Sequence, residues 1–496
     1  MSSLARAVAL FSGSSFIGTL TQIAKGKLSA LILGADGVGI LNQLVSLWSL
    51  FSVVAGMGFY NGIVRHLSQS WSTNDRDNFT RQISSSFIFL SFSSLALAGA
   101  GCIFSADLSH LIFADHGQRA ELVCLILLSL PVFSAGQVYR AILNATRSIN
   151  QLVRARIAAD ISSVIVLAIL ILLWDLRGAI LSYLGLHLLF LSFSIWFARQ
   201  AIHTNLIYPQ PTKFDWTHIR KNVGYGLNGL IMVSASIVTT LCISRWIIGE
   251  LGPAENGIFS TAFKVGTVYL GALSAAAGGY YFPTLISSKT DREFHRHIND
   301  ALSLYFYIVP PVAVILMTGG DLMMAILFSD EFIPAAVLLL LFLPGDLFRI
   351  TSETLNLPLV ARKNLVLSTL LYLTWAGLYL GLSYFLIPSF GIIGITGAYL
   401  VSHSVNALLH LVATWKFLDY RMSPSGMLTI FRGLLLTGAV SLLLWQLDNR
   451  WMEYATSTVA LVIWVSLSML DPRFRNMFYR GLNRLLSFRA KSTPPS

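Results

Sequence analysis

Continuous apolar segments of twenty or more residues recur along the whole of this 496-residue chain. A membrane-spanning helix needs about 20 mostly apolar residues. Only helices and closed barrels satisfy all backbone polar groups in lipid, and a barrel would show alternating strands of about ten residues instead. The apolar segments therefore predict an all-α polytopic membrane protein.

The composition of the chain agrees with this class. Hydrophobic residues make up 55% of the chain and charged residues 11%, whereas a soluble domain carries about 25% charged residues. The mean hydropathy is +0.68. These values exclude a cytosolic enzyme, a disordered chain and a nucleic-acid-binding protein, although the formal net charge is +11.

The apolar segments predict about fourteen transmembrane helices. They form two six-helix lobes with pseudo-two-fold symmetry, an N-lobe at 1–204 and a C-lobe at 223–417. A cytoplasmic linker at 205–222 joins the lobes, helices 13 and 14 occupy 428–470, and a basic cytoplasmic tail covers 471–496. The predicted spans are 8–33, 40–66, 83–105, 119–145, 157–174, 179–203, 223–249, 257–286, 298–320, 334–356, 365–387, 391–417, 428–447 and 455–470. Short breaks at 175–178 and 388–390 separate two of the helix pairs.

Lysine and arginine are distributed unequally between the two sides of these spans. With the N-terminus in the cytoplasm, 25 of them fall on the cytoplasmic side and three, Arg119, Arg177 and Arg450, on the other. Cytoplasmic loops of membrane proteins carry such an excess. We therefore expect both termini in the cytoplasm.

Two segments share one pattern at an offset of 218 residues. The first begins at Lys27 and reads KLSALILGADGVGI, and the second begins at Arg245 and reads RWIIGELGPAENGI. Each is a basic residue, six residues, a glycine, four residues and Gly-Ile. Six-helix halves that start on the same side predict parallel repeats about an axis along the membrane normal, which in transporters enclose the substrate. A chance match is the alternative.

Basic residues inside the predicted spans are the main candidates for a binding site. A charge within the membrane is costly, so such residues face a wet cavity or a partner, or extend to the interface. Both alternatives stay open, and we expect a cationic cavity that suits an anion, phosphate above all. The candidates are Lys25, Lys27, Arg245 and Lys264, with Arg140, Arg349 and Arg65 nearer the cytoplasm.

Acidic residues inside the spans are few. Asp346 and Arg349 lie three residues apart on one helix, which predicts an ion pair between them. Proton coupling by Asp346 or Glu353 is the alternative. Asp160, near the start of predicted helix 5, is expected to complement the helix dipole.

No sequence motif indicates catalysis. The loops are too short for a soluble domain, and no nucleophile elbow or phosphate-binding loop is present. Cys102, Cys124 and Cys242 lie in apolar segments without a Cys-x-x-Cys pair, which indicates neither a disulfide framework nor a zinc site. We expect no enzyme activity, no cofactor and no metal.

Four segments carry a resemblance to a known family. They begin at Lys27 (KLSALILGADGVGILNQL), Ala55 (AGMGFYNGIVRHLSQ), Phe282 (FPTLIS) and Pro344 (PGDLFR). Together they resemble the Wzx-type polysaccharide flippases of the multidrug/oligosaccharidyl-lipid/polysaccharide exporter superfamily, in particular the O-antigen translocases and lipid III flippases. The resemblance covers roughly residues 5–417. Helices 13 and 14 depart from the twelve-helix members, whereas the lipid II flippases of the superfamily have fourteen.

The resemblance implies two six-helix lobes in a V with a cationic central cavity. It implies transfer of an undecaprenyl-pyrophosphate oligosaccharide between leaflets of the bacterial inner membrane, for O-antigen, enterobacterial common antigen or another surface polysaccharide. Lys27 matches the lysine of the family's first helix. Pyrophosphate would then lie against Lys27, Arg245 and Lys264. The implied partners are this lipid, the bilayer and polysaccharide-assembly proteins such as a polymerase or chain-length regulator, around a monomer.

Three other functions remain as alternatives. A multidrug cation antiporter of the same superfamily would need intramembrane carboxylates, which are scarce here. An integral-membrane polysaccharide polymerase or glycosyltransferase would need a large periplasmic loop or a catalytic acid and base. A scaffold for the biosynthetic complex would tolerate neutral residues in place of the cations.

Overall fold

The computed structural model describes residues 3–56, 59–115, 117–202, 208–223, 227–276, 280–447, 449–475 and 479. Over these ranges the secondary structure is helical, without a β-strand, which confirms the predicted all-α class. Short 3-10 turns lie at Pro211–Lys213 and Asp330–Phe332. The helices are α1 (Ser3–Gly56), α2 (Phe59–Ser72), α3 (Arg76–Ile103), α4 (Ser105–Phe113), α5 (Ala120–Leu127), α6 (Leu130–Ala145), α7 (Ile149–Ile202), α8 (Trp216–Val223), α9 (Leu227–Leu251), α10 (Pro253–Ala276), α11 (Phe282–Ser287), α12 (Asp291–Thr318), α13 (Gly320–Leu327), α14 (Ala335–Ala361), α15 (Leu365–Leu418), α16 (Pro424–Gln446) and α17 (Arg450–Met469).

Ten helical segments of the described ranges are long and apolar enough to cross a membrane. Three of these, Gly13–Gly56, Ile149–Ile202 and Leu365–Leu418, have 44, 54 and 54 residues. Each therefore has more than twice the roughly 20 residues that one crossing requires. The exact number of fourteen crossings stays a prediction.

The long helices α1, α7 and α15 each contain at least one residue with non-helical backbone angles. The breaks are at Gly34 (φ 63°), Asp175 (φ 46°) and Gly391 (φ 56°). Asp175 confirms the predicted break at 175–178. The break predicted at 388–390 lies one residue later, at Gly391. Glycine adopts a positive φ without a Cβ penalty, whereas Pro388 holds φ near the helical value.

The chain packs into two compact units. Unit one comprises 1–261, 324–332 and 376–395, and unit two comprises 262–323, 333–375 and 396–496. Unit one has one core around Leu44, Leu127 and Ile171 and another around Phe59, Phe79 and Leu143. A core of unit two surrounds Phe294 and Ile298. The lobes predicted at 1–204 and 223–417 stay a prediction.

The described part of the predicted linker is docked on α3 in unit one. The backbone amides of Gln210 and Asp215 donate to the hydroxyls of Ser84 and Ser85, each at 2.8 Å. The ammonium of Lys213 lies 2.8 Å from a carboxylate oxygen of Asp77. This segment is therefore a structured part of unit one.

The two C-terminal helices, α16 and α17, match the predicted helices 13 and 14 and belong to unit two. The Ser441 hydroxyl donates to the carbonyl of Leu340 at 2.5 Å. The Tyr307 hydroxyl donates to the carboxylate of Asp471 at 2.6 Å, and Phe474 packs against the same tyrosine. Apart from 471–475 and 479, the predicted basic tail lies outside the described residues.

A disulfide joins Cys102, at the end of α3, to Cys124 in α5. The expectation of no disulfide is wrong. The two cysteines are 22 residues apart in sequence, and their Cα atoms are 4.6 Å apart in space. Only tertiary packing of α3 on α5 reveals this proximity, because spacing in sequence does not determine which cysteines meet.

Candidate functional site

The first glycine of each copy of the sequence repeat adopts a positive φ. Gly34 has φ 63° and Gly252 has φ 99°, a region that favours glycine because it lacks Cβ. Lys27 and Arg245 each lie seven residues before this glycine. The predicted repeat is therefore present in the structure as well as in the sequence.

The two copies also pack against each other, within unit one. The Asn42 amide donates to the Ser260 hydroxyl at 2.6 Å, and these residues are separated by the repeat offset of 218. The Asn256 amide donates to the Gly39 carbonyl at 2.9 Å. Asn42 and Ser260, which are equivalent positions of the two copies, therefore meet across a local pseudo-two-fold axis.

The second glycine of each copy makes this contact close. A Cβ atom on Gly39 would overlap the carbonyl oxygen of Pro253, and one on Gly257 would overlap the carbonyl oxygen of Ala35. Ala35 and Pro253 are themselves 218 residues apart. The glycines thus allow backbone to approach backbone, as small residues do in membrane helix pairs.

Lys27, on α1, is partly buried and anchored. Its ammonium donates to the carbonyl oxygen of Ile326 at 2.5 Å. Ile326 is in the last turn of α13, where carbonyls lack helical partners and a cation is favoured by the helix dipole. A lysine ammonium has three donors, so this bond leaves capacity for an anionic ligand.

Arg245, on α9, occupies the equivalent position with different surroundings. Its side chain is partly buried, and its Nε is buried without a hydrogen-bond partner among the described residues. An unpaired buried donor costs about 1–3 kcal/mol, more for a charged group. This Nε therefore has no acceptor in the described part of the chain, and an anionic ligand or water can supply one.

Lys25 lies near an acidic partner. It faces the charge of Asp160 on α7, and the Asp160 carboxylate lies 3.7 Å from Nε of Arg156. Asp160 is well beyond the first turn of α7, which begins at Ile149. The expected role of Asp160 at a helix dipole is therefore wrong, because that effect is confined to the terminal turn.

The three cations predicted to lie nearer the cytoplasm, Arg65, Arg140 and Arg349, are divided between the two units. Arg65 is exposed on α2. The Arg140 guanidinium lies 4.8 Å from the centroid of the Tyr60 ring, a cation–π contact. The Asn144 amide donates to the Tyr60 hydroxyl at 3.2 Å. Sequence reasoning missed Tyr60, since no local pattern pairs α2 with α6.

The acids of α14 form an unexpected arrangement in unit two. Asp346 is 2% exposed. It accepts hydrogen bonds from the hydroxyls of Tyr269 (3.0 Å) and Tyr399 (2.6 Å). Arg349 forms its ion pair with Glu353 at 2.9 Å. The predicted Asp346–Arg349 pair is wrong, because one turn of helix brings Glu353 to the guanidinium while Asp346 faces α10 and α15.

The candidate residues fall into two sets. Unit one contains Lys25, Lys27, Arg65, Arg140 and Arg245, and unit two contains Lys264, Asp346, Arg349 and Glu353. The Lys264 side chain is exposed on α10.

Sequence reasoning also missed an aromatic cluster in unit one. The His187 ring stacks on Trp48 at 4.9 Å, and Phe133 packs against both rings. These residues come from three separate helices, so no periodicity in the sequence indicates that they meet.

The sequence profile described as "Polysaccharide biosynthesis protein" matches residues 6–289. The chain is 23% identical over 412 residues to the lipid III flippase of Escherichia coli (strain K12), covering 81% of this chain and 96% of that protein. It is 23% identical over 407 residues to a putative O-antigen transporter of Shigella flexneri, covering 79% and 93%.

The fold is also similar to that of a solved structure, the lipid II flippase MurJ in an inward closed conformation. The TM-score is 0.70 at 14% identity, covering 96% of this chain and 99% of MurJ. This coverage includes most of the chain after residue 417, which lies beyond the twelve-helix core. The apolar helices and these relatives indicate a multi-pass membrane protein.

Proposed function

Because the chain belongs to the polysaccharide biosynthesis protein family, we propose that it moves a lipid-linked oligosaccharide across the bacterial inner membrane. The substrate is an undecaprenyl-pyrophosphate-linked repeat unit, transferred from the cytoplasmic to the periplasmic leaflet by alternating access of a cationic cavity. The names of two relatives, lipid III flippase and putative O-antigen transporter, support this substrate class.

The observation that carries the proposal is the paired position of Lys27 and Arg245. Both precede a positive-φ glycine by seven residues, and the Nε of Arg245 is buried without a partner among the described residues. Ammonium and guanidinium groups bind phosphate strongly. We assign pyrophosphate to Lys27 and Arg245 of unit one. The predicted roles of Lys264 and Lys25 in binding stay predictions. Lys27→Ala and Arg245→Ala should each impair transport while the protein still folds.

The remaining cations guide the headgroup from the cytoplasmic side. Arg65 is exposed, Arg140 lies over Tyr60 and Arg349 is paired with Glu353. Long-range attraction by Arg65 and Arg140 raises the rate at which an anionic ligand arrives. Arg349 contributes less, because Glu353 offsets its charge. The chain acts as a transporter without a catalytic step, as a monomer, alongside a polymerase or chain-length regulator.

The proposed orientation has both termini in the cytoplasm. The excess of lysine and arginine on that side supports it. The disulfide joins Cys124 to Cys102, which lies at the end of α3 away from Arg76 and Arg81. Disulfides persist in the periplasm but are rare in the cytosol. Both observations favour the same topology.

Two other functions fit the structure less well. An organic-cation antiporter would place carboxylates in the path, but Asp346 is buried beneath two tyrosines and Glu353 is neutralised by Arg349. A polymerase would need a catalytic loop, and the described connections between helices are short.

Depletion of this protein from its cells tests the proposal. Undecaprenyl-pyrophosphate oligosaccharides are extracted and identified by mass spectrometry, and their leaflet is determined. Accumulation of one complete repeat unit on the cytoplasmic leaflet is expected. Extended periplasmic intermediates would indicate a polymerase, and no accumulation would overturn the flippase assignment in favour of the antiporter.

Asp346 carries a second proposal, proton coupling of the transport step. Its carboxyl group is buried, and its described hydrogen-bond partners are the hydroxyls of Tyr269 and Tyr399. A hydroxyl both donates and accepts, so this cluster accommodates a protonated or an ionised carboxyl group. The neighbouring charges are Arg349 and Glu353 on the same helix.

Asp346→Asn in proteoliposomes tests this coupling. The variant should lose the stimulation of transport by an imposed pH gradient while it keeps transport without the gradient. Asp321→Asn is the matched control, because Asp321 is in an exposed ion pair with Arg450. Unchanged stimulation in Asp346→Asn would refute the coupling role.

A further inference from the structure

A polar cavity of about 470 Å³ opens between the C-terminal end of α2 and the N-terminal end of α3 in unit one. Small-molecule sites commonly have volumes of about 300–1,000 Å³. The amides of Gln69, Asn78 and Gln82 and the hydroxyls of Ser70 and Thr73 supply most of its lining, and two histidines and Asp75 complete it. Under the proposed topology this cavity faces the cytoplasm.

The turn between α2 and α3 holds the walls of this cavity in place. The carboxylate of Asp75 caps α3 by accepting from the backbone amide of Asn78 at 3.0 Å. The side-chain amide of Asn78 donates to the Ser70 hydroxyl at 2.9 Å. Both walls are therefore preformed, which reduces the entropy cost of binding a ligand.

The side chain of Gln82 has an unsatisfied hydrogen-bond acceptor among the described residues. Its side chain is 7% exposed, and its carbonyl oxygen Oε1 is buried without a hydrogen-bond partner among the described residues. Buried polar atoms in native structures nearly always have a partner. A ligand group that donates a hydrogen bond would satisfy this oxygen.

The charge of the cavity disfavours anionic ligands that carry phosphate groups. Asp75 is part of the lining, and no lysine or arginine is. At the rim His218 lies 3.8 Å from the carboxylate of Asp215. The backbone amide and hydroxyl of Thr217 donate to Asp215 and lower the pKa of its carboxyl group. Phosphate and pyrophosphate are therefore disfavoured here.

Apolar and metal ligands are also disfavoured. Ligand sites for apolar molecules are lined mainly by hydrophobic side chains, whereas every residue that lines this cavity has a polar side chain. In the part of the chain that the structure describes, no group of three side chains is suited to a metal ion. A neutral ligand rich in hydroxyl groups remains, because each hydroxyl both donates and accepts, as the lining amides and hydroxyls do.

We propose that this cavity binds a sugar residue of the oligosaccharide on the cytoplasmic side, before the pyrophosphate reaches Lys27 and Arg245. The inference rests on the proposed function and adds a separate recognition site for the glycan. A cytosolic nucleotide sugar has the same hydroxyl-rich chemistry, and its diphosphate makes it the poorer match for the acidic rim.

Ligand-observed NMR on the full-length protein in nanodiscs tests this inference. The first probe is the water-soluble oligosaccharide released by mild acid from the undecaprenyl-linked lipids of the source cells, free of lipid and phosphate. The second probe is UDP-N-acetylglucosamine. The variant Gln82→Met keeps the side-chain length and removes the amide, and Gln210→Met is its control on an exposed glutamine outside the cavity.

The wild type and Gln210→Met should bind the released oligosaccharide equally, and Gln82→Met should bind it roughly fivefold to tenfold more weakly, the loss of one or two hydrogen bonds. If Gln82→Met does not fold, Thr73→Val tests the opposite wall in the same way. Equal binding by all variants, or binding of the nucleotide sugar alone, would overturn the inference. Transport assays separate this inference from the proposed function. If the protein transports the lipid but the cavity binds no glycan, the glycan site is rejected and the flippase function stands. If the cavity binds the glycan but the protein does not transport the lipid, the flippase function is rejected.

Discussion

The two copies of the repeat turn share their glycine positions and carry different cations. Gly34 and Gly252 both adopt a positive φ, and Gly39 and Gly257 both pack against the opposite copy. Lys27 is bonded to a carbonyl at the end of α13, whereas the Nε of Arg245 has no partner among the described residues.

This difference separates two kinds of constraint. The glycines are fixed by backbone geometry, which must be the same in both copies if they are to meet about a common axis. The basic residue before each glycine is under no such constraint. In the first copy Lys27 donates a hydrogen bond to the protein, and in the second copy the Nε of Arg245 stays available for a ligand. We therefore expect substitutions of Gly39 and Gly257 to have equal effects, and substitutions of Lys27 and Arg245 to have unequal effects.

The largest effect is expected at the close contact between the copies. Gly39→Ala and Gly257→Ala each place a methyl group onto a backbone carbonyl of the other copy. Forced backbone shifts of this kind cost about 1–3 kcal/mol or more, so both variants should lower Tm and abolish transport. Gly99→Ala is the control, since nothing lies within 4 Å of its Cβ position. Wild-type Tm and transport in Gly39→Ala would contradict the symmetric contact.

Arg245→Gln should affect transport more than stability. Loss of a buried charge that pairs with a ligand costs about 2–5 kcal/mol, which corresponds to a decrease of roughly thirtyfold or more in kcat/KM for transport. Tm should stay near that of the wild type, because the Nε of Arg245 has no protein partner within the described ranges. Arg177→Gln, which breaks an exposed ion pair with Glu121, is the control, and equal rates in the two variants would remove Arg245 from the site.

Lys27→Met should reduce both transport and stability, each moderately. The variant loses the bond to Ile326, worth about 1.5–3 kcal/mol for a charged group, along with one of the phosphate ligands. We expect a roughly tenfold decrease in transport and a measurable decrease in Tm, with partial rescue by Lys27→Arg. A variant with normal Tm and no transport would show that Lys27 acts on the ligand alone, as Arg245 does.

The smallest effect is expected at the first glycines. Gly34→Ala forces a side chain into a conformation that costs about 1–3 kcal/mol, and its Cβ would lie 3.0 Å from the Glu331 carboxylate. Gly252→Ala has the strain of φ 99° with nothing within 4 Å. Gly34→Ala should therefore lower Tm more than Gly252→Ala, as thermal unfolding in detergent measures, and the reverse order would indicate that Glu331 adjusts freely.

The sequence predicted what depends on local patterns. Long apolar segments predicted the helical membrane class, and the spacing of Gly34 and Gly252 predicted the repeat, because both signals lie within one stretch of chain. The break at Asp175 was also predicted, since a short polar interval separates two apolar segments there.

Features that depend on tertiary contacts were not predicted. Tyr269 and Tyr399 reach Asp346 from helices far along the chain, and Cys102 meets Cys124 only when α3 packs on α5. The ion pair of Arg349 could have been found, because Glu353 lies at the favourable i+4 position.

The most direct test of the central claim is translocation by the purified protein. Proteoliposomes receive the undecaprenyl-pyrophosphate oligosaccharide of the source cells in one leaflet, and its appearance in the other is measured by enzymatic access to the glycan. The account predicts that the wild type equilibrates the lipid between leaflets, that Arg245→Gln does so at least thirtyfold more slowly, and that Arg177→Gln matches the wild type. No translocation by the folded wild type, or the same rate in Arg245→Gln, would contradict it.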